Sequence, residues 1–202
     1  MSWDSWLNYA YLCSFVAFSV LRGCIALAQR RNGTATPQLE SRASVFFRAA
    51  IILIQAALMT FYGYHTMYEL FNWVEIFAIP FPLAFRFVAL AVTLFSLAGI
   101  VWVHAALGRH FSDKLELRES HALVTSGPYR WVRHPLYSFL FLFFISSALL
   151  SADALIALCS ALLITNIYRR IGKEEEMLKE HFGKDFEIYA LKTPRLVPGL
   201  KS

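Results

Sequence analysis

The sequence predicts an all-α integral membrane protein of about five transmembrane helices, the last two forming a hairpin. Three observations carry this. The 202-residue chain is 57% hydrophobic, 16% aromatic and only 16% charged, against roughly 45–50% apolar and about 25% charged for a soluble domain. Its mean hydropathy of +0.49 leaves more apolar surface than a water-facing fold can hide, and lipid is the solvent that accepts it. The apolar residues come in long blocks, and the basic residues gather at alternate ends of them. These features exclude a disordered chain. They also exclude a soluble catalytic domain of ordinary size, so any chemistry has to be built from helix ends and short loops.

The first span is expected at about 6–28, closed by Arg30-Arg31. Asp4 is the only charge before it and no small-residue cleavage site is clear, so it reads as a span rather than a signal peptide. The second is expected at 45–67 and the third at 82–107. The block from Leu136 to Tyr168 covers 33 residues, which as one helix would reach about 50 Å and overshoot a hydrocarbon core of about 30 Å. Its one charge, Asp153, lies in Ser151-Ala152-Asp153, a patch able to turn the chain and cap a new helix. Two spans at 136–150 and 152–168 follow. The whole chain, 1–202, reads as a single membrane domain.

All but two of the 19 Lys and Arg residues follow the first, third or fifth span. By the positive-inside rule the N-terminus lies outside and the C-terminus in the cytoplasm. The net charge of +5 then reflects topology and a membrane-lipid environment, with no nucleic-acid partner. Cys13, Cys24 and Cys159 fall inside spans without any CxxC; they read as small apolar residues, and no metal site is expected.

Polar chemistry is confined to two cytoplasmic segments, 108–135 and 169–202. In the first, a turn is expected at Ser126-Gly127-Pro128, and Arg133-His134-Pro135 stands where the chain enters lipid. Proline suits the first turn of a helix, which puts His134 at or just before its start. Arg130, Trp131, Arg133 and Tyr137 also fit an aromatic belt of interfacial anchors. In the second, Ile171, Met177, Leu178 and Phe182 keep helical spacing until Gly183. Arg170 and Glu174, four apart, share a face of that helix and by spacing alone read as a surface pair. His181 belongs on its exposed side. Beyond Gly183 the tail reads as irregular but aromatic, suited to folding back as a lid. There is no GxGxxG, P-loop or HExxH.

His121-Ala122-Leu123-Val124-Thr125-Ser126-Gly127-Pro128-Tyr129, then Arg133-His134-Pro135-Leu136-Tyr137, then Glu174-Glu175 with Leu178, Phe182-Gly183, Tyr189 and Pro194 together resemble the isoprenylcysteine carboxyl methyltransferase family. The resemblance covers the chain from Leu107 to Pro198. It implies an integral membrane enzyme that uses S-adenosyl-L-methionine, leaving S-adenosyl-L-homocysteine, without a dinucleotide-type domain. It further implies cofactor contacts from His121, Leu123, Val124, Tyr129, His134, Pro135 and Tyr137. Glu174 would hold the cofactor's ammonium, and Arg170 would face the methyl acceptor as the catalytic cation. These residue types suit those tasks: a carboxylate for an ammonium, tyrosine rings for adenine or sulfonium, a guanidinium for a carboxylate.

Two positions depart from the family pattern: Phe139 stands where glycine is usual, and Phe186 where tyrosine is usual. The expected function is methyl transfer to a lipophilic or prenylated acceptor, a carboxylate such as a prenylcysteine-like group, at the cytoplasmic face. A phospholipid or small-thiol methyltransferase is the alternative; more distant ones are an NADPH-dependent membrane reductase and a non-enzymatic subunit or transporter. An acceptor needing deprotonation would call on His134 or Glu175 as base.

Overall fold

In the computed structural model of the chain the described residues are 3–31, 77–107 and 123–200. The expected second span at 45–67 and the start of the first polar segment, with His121, lie outside them. The described elements are helices α1 (Trp3–Arg31), α2 (Leu83–Leu107), α3 (Pro135–Ser151), α4 (Ala154–Phe182) and α5 (Lys184–Lys192), with a 3-10 turn at Gly127–Arg130. By length and composition α1, α2 and α4 can each cross a membrane, and α3 is a shorter apolar helix of 17 residues. At 1.5 Å per residue α3 is about 25 Å long, near the lower limit for a span.

The hairpin break falls where the polar patch predicts it. Ala152 turns left-handed at φ 54°, an uncommon state for a residue with a Cβ. Asp153 then caps α4, its carboxylate accepting the backbone N–H of Ile156 at 2.9 Å.

Packing follows helical seams. On α2 the buried residues Ala89, Thr93, Ser96, Ile100 and Val103 recur at alternating steps of four and three, which keeps one narrow stripe against a neighbour. The stripe is small near its start, and small residues let helices in lipid approach closely. Thr93 Oγ1 also donates to Ser146 Oγ of α3 at 2.8 Å. Against α3, Phe18 of α1 stacks on Phe143 with centroids 4.4 Å apart. Outward, Phe85, Val88, Phe95, Trp102 and Leu158 stay exposed, as a lipid-facing surface requires.

Phe139 does not line an open groove. Its ring lies against Gly99 of α2, where a Cβ would stand 2.3 Å from the ring atoms. Phe95 meets the same ring edge-on at 5.8 Å. The bulk added at 139 is therefore accommodated by a missing side chain on the facing helix.

The tail corrects the expectation of an irregular segment. Gly183, at φ 53°, makes a turn that a residue with a Cβ rarely adopts, and α5 starts at once. Asp185 and Glu187 in its first turn and Lys192 in its last complement the helix dipole. Phe186 on its inner face is buried. Its spacing was too short, at nine residues, to register as a periodic stripe.

Candidate active site

The site is assembled where the chain enters α3. Pro135 is buried at the first position of α3 and His134 is its N-cap, as the Arg-His-Pro order predicts. Ahead of it, Leu123 and Val124 are half-buried in an extended run leading to the 3-10 turn that contains Tyr129. Gly127 at φ 60° supplies the turn's left-handed residue. The His134 and Tyr137 rings stack with centroids 5.6 Å apart.

The organising group is Glu175, on the C-terminal part of α4. Its Oε1 accepts from Arg133 Nε at 2.9 Å and from His134 Nε2 at 3.1 Å. Its Oε2 accepts from Arg195 Nη2 of the tail. Burial alone would raise this carboxyl, but the hydrogen bonds from His134, Arg195 and Arg133 outweigh it and hold it well below the usual carboxylate range. Glu175 is thus a committed anion. Its candidacy as a base is corrected: a carboxylate that accepts from two guanidiniums and an imidazole has little affinity for a proton.

Arg133 is corrected too. Rather than anchoring at the interface it is buried, and its Nη1 donates to the carbonyls of Ala190 at 2.8 Å and Thr193 at 2.6 Å. These are the carbonyls a helix C-terminus leaves unsatisfied, so Arg133 caps α5. The backbone N–H groups of Arg133 and His134 donate to the Pro194 and Arg195 carbonyls at 2.8 and 3.0 Å. Ser138 Oγ donates to the Leu196 carbonyl at 2.6 Å, and Tyr189 OH to the Tyr129 carbonyl at 2.6 Å. The tail therefore does fold back over the entry loop, stitched to it from Tyr129 to Ser138.

Glu174, one residue before the organising carboxylate, is half-buried. Its Oε2 is buried without a hydrogen-bond partner and lies 3.7 Å from His134 Nδ1, beyond hydrogen-bond reach. Burial, then the Glu174 charge and Tyr189, push the Tyr129 hydroxyl well above its ordinary value. Burial pushes Tyr189 up to about 12. Both phenols stay neutral and act as hydrogen-bonding apolar walls.

The fold thus gathers Tyr129, His134, Pro135, Tyr137 and Glu174 around one corner. Arg170 is half-buried one turn earlier on α4. His121 lies outside the described residues. Spacing rules missed Glu175, Arg133 and Arg195 as a unit because their separations are 42 and 20 residues. The one available signal was the Glu174-Glu175 doublet followed by a tail with a single arginine, Arg195. A cofactor that presents an ammonium fits this corner on the structure's own terms, since Glu174 Oε2 is an orphaned buried acceptor beside aromatic rings.

A family model described as the isoprenylcysteine carboxyl methyltransferase (ICMT) family matches residues 87–180. That match begins in α2, earlier than the expected Leu107, and ends before the tail. Protein-S-isoprenylcysteine O-methyltransferase B of Arabidopsis thaliana is 33% identical over 94 residues, 45% of this chain and 48% of that protein. The Homo sapiens protein-S-isoprenylcysteine O-methyltransferase is 32% identical over 87 residues, 43% of this chain and 31% of that protein. The matched stretches amount to about half the length of such curated relatives, or less. The solved structure of the eukaryotic intramembrane Ras methyltransferase ICMT superposes with a TM-score of 0.54 at 20% identity, covering 81% of this chain and 56% of that one. The chain is therefore similar, through α2 to α4, to the isoprenylcysteine carboxyl methyltransferase family, and it shares the helical fold of an intramembrane member.

Proposed function

We propose that this protein is an S-adenosyl-L-methionine-dependent methyltransferase acting on a lipophilic carboxylate at the cytoplasmic membrane face. Five spans, with the N-terminus outside, and the fold-back of the tail over the cofactor belong to the same reading. The observation that carries it is the orphaned Glu174 Oε2 beside His134 and Tyr129, inside the region that the family model matches.

In this reading Glu174 holds the ammonium of the cofactor. His134, Tyr137 and Tyr129 wall the corner, with Leu123, Val124, Pro135 and His121 completing it. Arg170 orients the acceptor carboxylate through its guanidinium. The bound cofactor supplies an electrophilic methyl group. A carboxylate acceptor is already ionised at neutral pH, so the chain needs no general base. That agrees with Glu175, which its three hydrogen-bond donors remove from proton transfer, and it favours a carboxylate over a thiol or amine acceptor. What the residues contribute is alignment and exclusion of water, the latter by the tail stitched across the entry loop.

Calorimetry in detergent tests this. The wild type should bind S-adenosylhomocysteine, and Glu174→Ala should abolish that binding. Arg170→Ala should leave it intact while impairing methyl incorporation into a prenylcysteine-like carboxylate. Stabilisation of the purified protein by NADPH instead of S-adenosylhomocysteine would show the methyltransferase reading to be wrong.

A further inference from the structure

The polar atoms around Glu175 are not all paired, and the unpaired ones have a location. One carboxylate receives Arg133, His134 and Arg195. Arg133 is consumed by the fold: its Nε is on Glu175, its Nη1 on two carbonyls, and its side chain is 6% exposed. Arg195 differs. Its side chain is 33% exposed, it hydrogen-bonds Tyr168 as well as Glu175, and its Nε is buried with no hydrogen-bond partner. Glu175 fixes one edge of this guanidinium and leaves a donor unanswered.

The same cluster leaves an acceptor unanswered, Glu174 Oε2. The two orphans have opposite charge and are joined through a continuous chain, from Glu174 past His134 to Glu175 and on to Arg195. A buried donor or acceptor without a partner is costly, more so when charged. A ligand that ends the cost at both must carry both a cation and an anion. A simple carboxylate would answer Arg195 and leave Glu174 bare; an amine would do the reverse. An α-amino-acid headgroup, with ammonium and carboxylate on one carbon, answers both.

We propose that Arg195 receives the carboxylate of an α-amino-acid headgroup and forms, with Glu174, a receptor for the zwitterionic end of the methyl donor. This rests on the cofactor reading above and adds to it a residue of the tail. It also gives the tail a role beyond covering the site: docking of the 193–196 strap brings in half of the receptor, so the site is complete only when the tail is latched by Glu175.

The test uses calorimetry on the whole chain in detergent with three probes. These are S-adenosylhomocysteine, its decarboxylated analogue, which keeps the ammonium, and 5′-methylthioadenosine, which lacks the amino-acid end. In the wild type, decarboxylation should weaken binding about 10- to 100-fold, the range of a hydrogen bond between charged groups. Arg195→Gln should lose the same factor for S-adenosylhomocysteine, bind the decarboxylated analogue as the wild type does, and bind methylthioadenosine unchanged. Arg195→Lys should recover part of the loss. Equal weakening of all three probes would mean that Arg195 only holds the fold together and overturns the proposal. Unchanged binding of S-adenosylhomocysteine with a raised KM for the acceptor would place the guanidinium on the acceptor carboxylate, and overturns it too. A wild type that binds none of the probes would remove the cofactor reading itself.

Discussion

A charged side chain from a neighbouring helix sits at each end of α3, and the two are satisfied in different ways. Where α3 ends, Arg86 of α2 is 4% exposed. Its Nε donates to the Leu150 carbonyl at 3.0 Å and its Nη2 to Asn8 Oδ1 of α1 at 2.6 Å. These two acceptors are neutral dipoles: a helix carbonyl that would otherwise be unsatisfied and an amide. Where α3 begins, Glu175 is answered by two arginines and a histidine from two segments. The first arrangement joins three helices and leaves a finished corner. The second leaves unpaired atoms of both signs, Glu174 Oε2 and Arg195 Nε. A cap closes a structure; an incompletely paired cluster gives a ligand something to complete.

The largest expected effect comes from removing the centre of the second arrangement. Glu175→Ala strands Arg133 without its counter-ion and frees the tail, and should cost about 3 kcal/mol of stability, in the range for breaking a buried ion pair. It should also abolish binding of S-adenosylhomocysteine. Thermal unfolding and calorimetry in detergent check both; a variant with wild-type melting and binding would show that the cluster is incidental. The pH profile sharpens the point. Because the folded Glu175 carboxyl is held below its ordinary value of 4.5, its stabilisation is fully present above about pH 4.5 and fades as pH falls below it. The wild type should lose melting temperature in that acid range, and Glu175→Gln should lose less.

At the opposite end, Arg86→Met should cost about 2 kcal/mol through the lost bonds to Leu150 and Asn8, while affinity for S-adenosylhomocysteine stays within twofold. A large loss of affinity there would erase the distinction between the two ends. On α2, against the first half of α3, Gly99→Ala forces a methyl group into the Phe139 ring and should cost about 1–2 kcal/mol. Phe139→Ala added to it should return part of that stability, and additive losses in the double variant would deny the contact. The smallest effect belongs to Tyr189→Phe, which removes one bond to the Tyr129 carbonyl and should cost about 1 kcal/mol. Faster amide exchange at 123–134 would report the loosened loop.

Much of this was legible in the chain. Asp153 announced the hairpin because a lone charge in a 33-residue apolar block has few other uses. Gly183 marked the end of α4, and Arg-His-Pro the start of α3. The chemistry of Glu174 was suggested by a family resemblance, whereas its spacing pointed to a surface pair. What escaped was of two kinds. Helix α5 is too short for its periodicity to stand out, and its order depends on Arg133 capping it from a distant loop. The partners of Glu175 come from segments far off in sequence, and helical spacing rules detect only neighbours on the same helix.

The sequence by itself determined the solvent, the ends of the described spans and the segregation of charge into two segments, because these follow from local hydropathy and from turn and cap chemistry. Only the tertiary structure decided which of those charges are spent on the fold and which are left over. Arg133 and Arg195 have the same chemistry and both hold Glu175. One is sealed beneath carbonyls and the other keeps an unanswered donor, and that difference arises from where the tail lands.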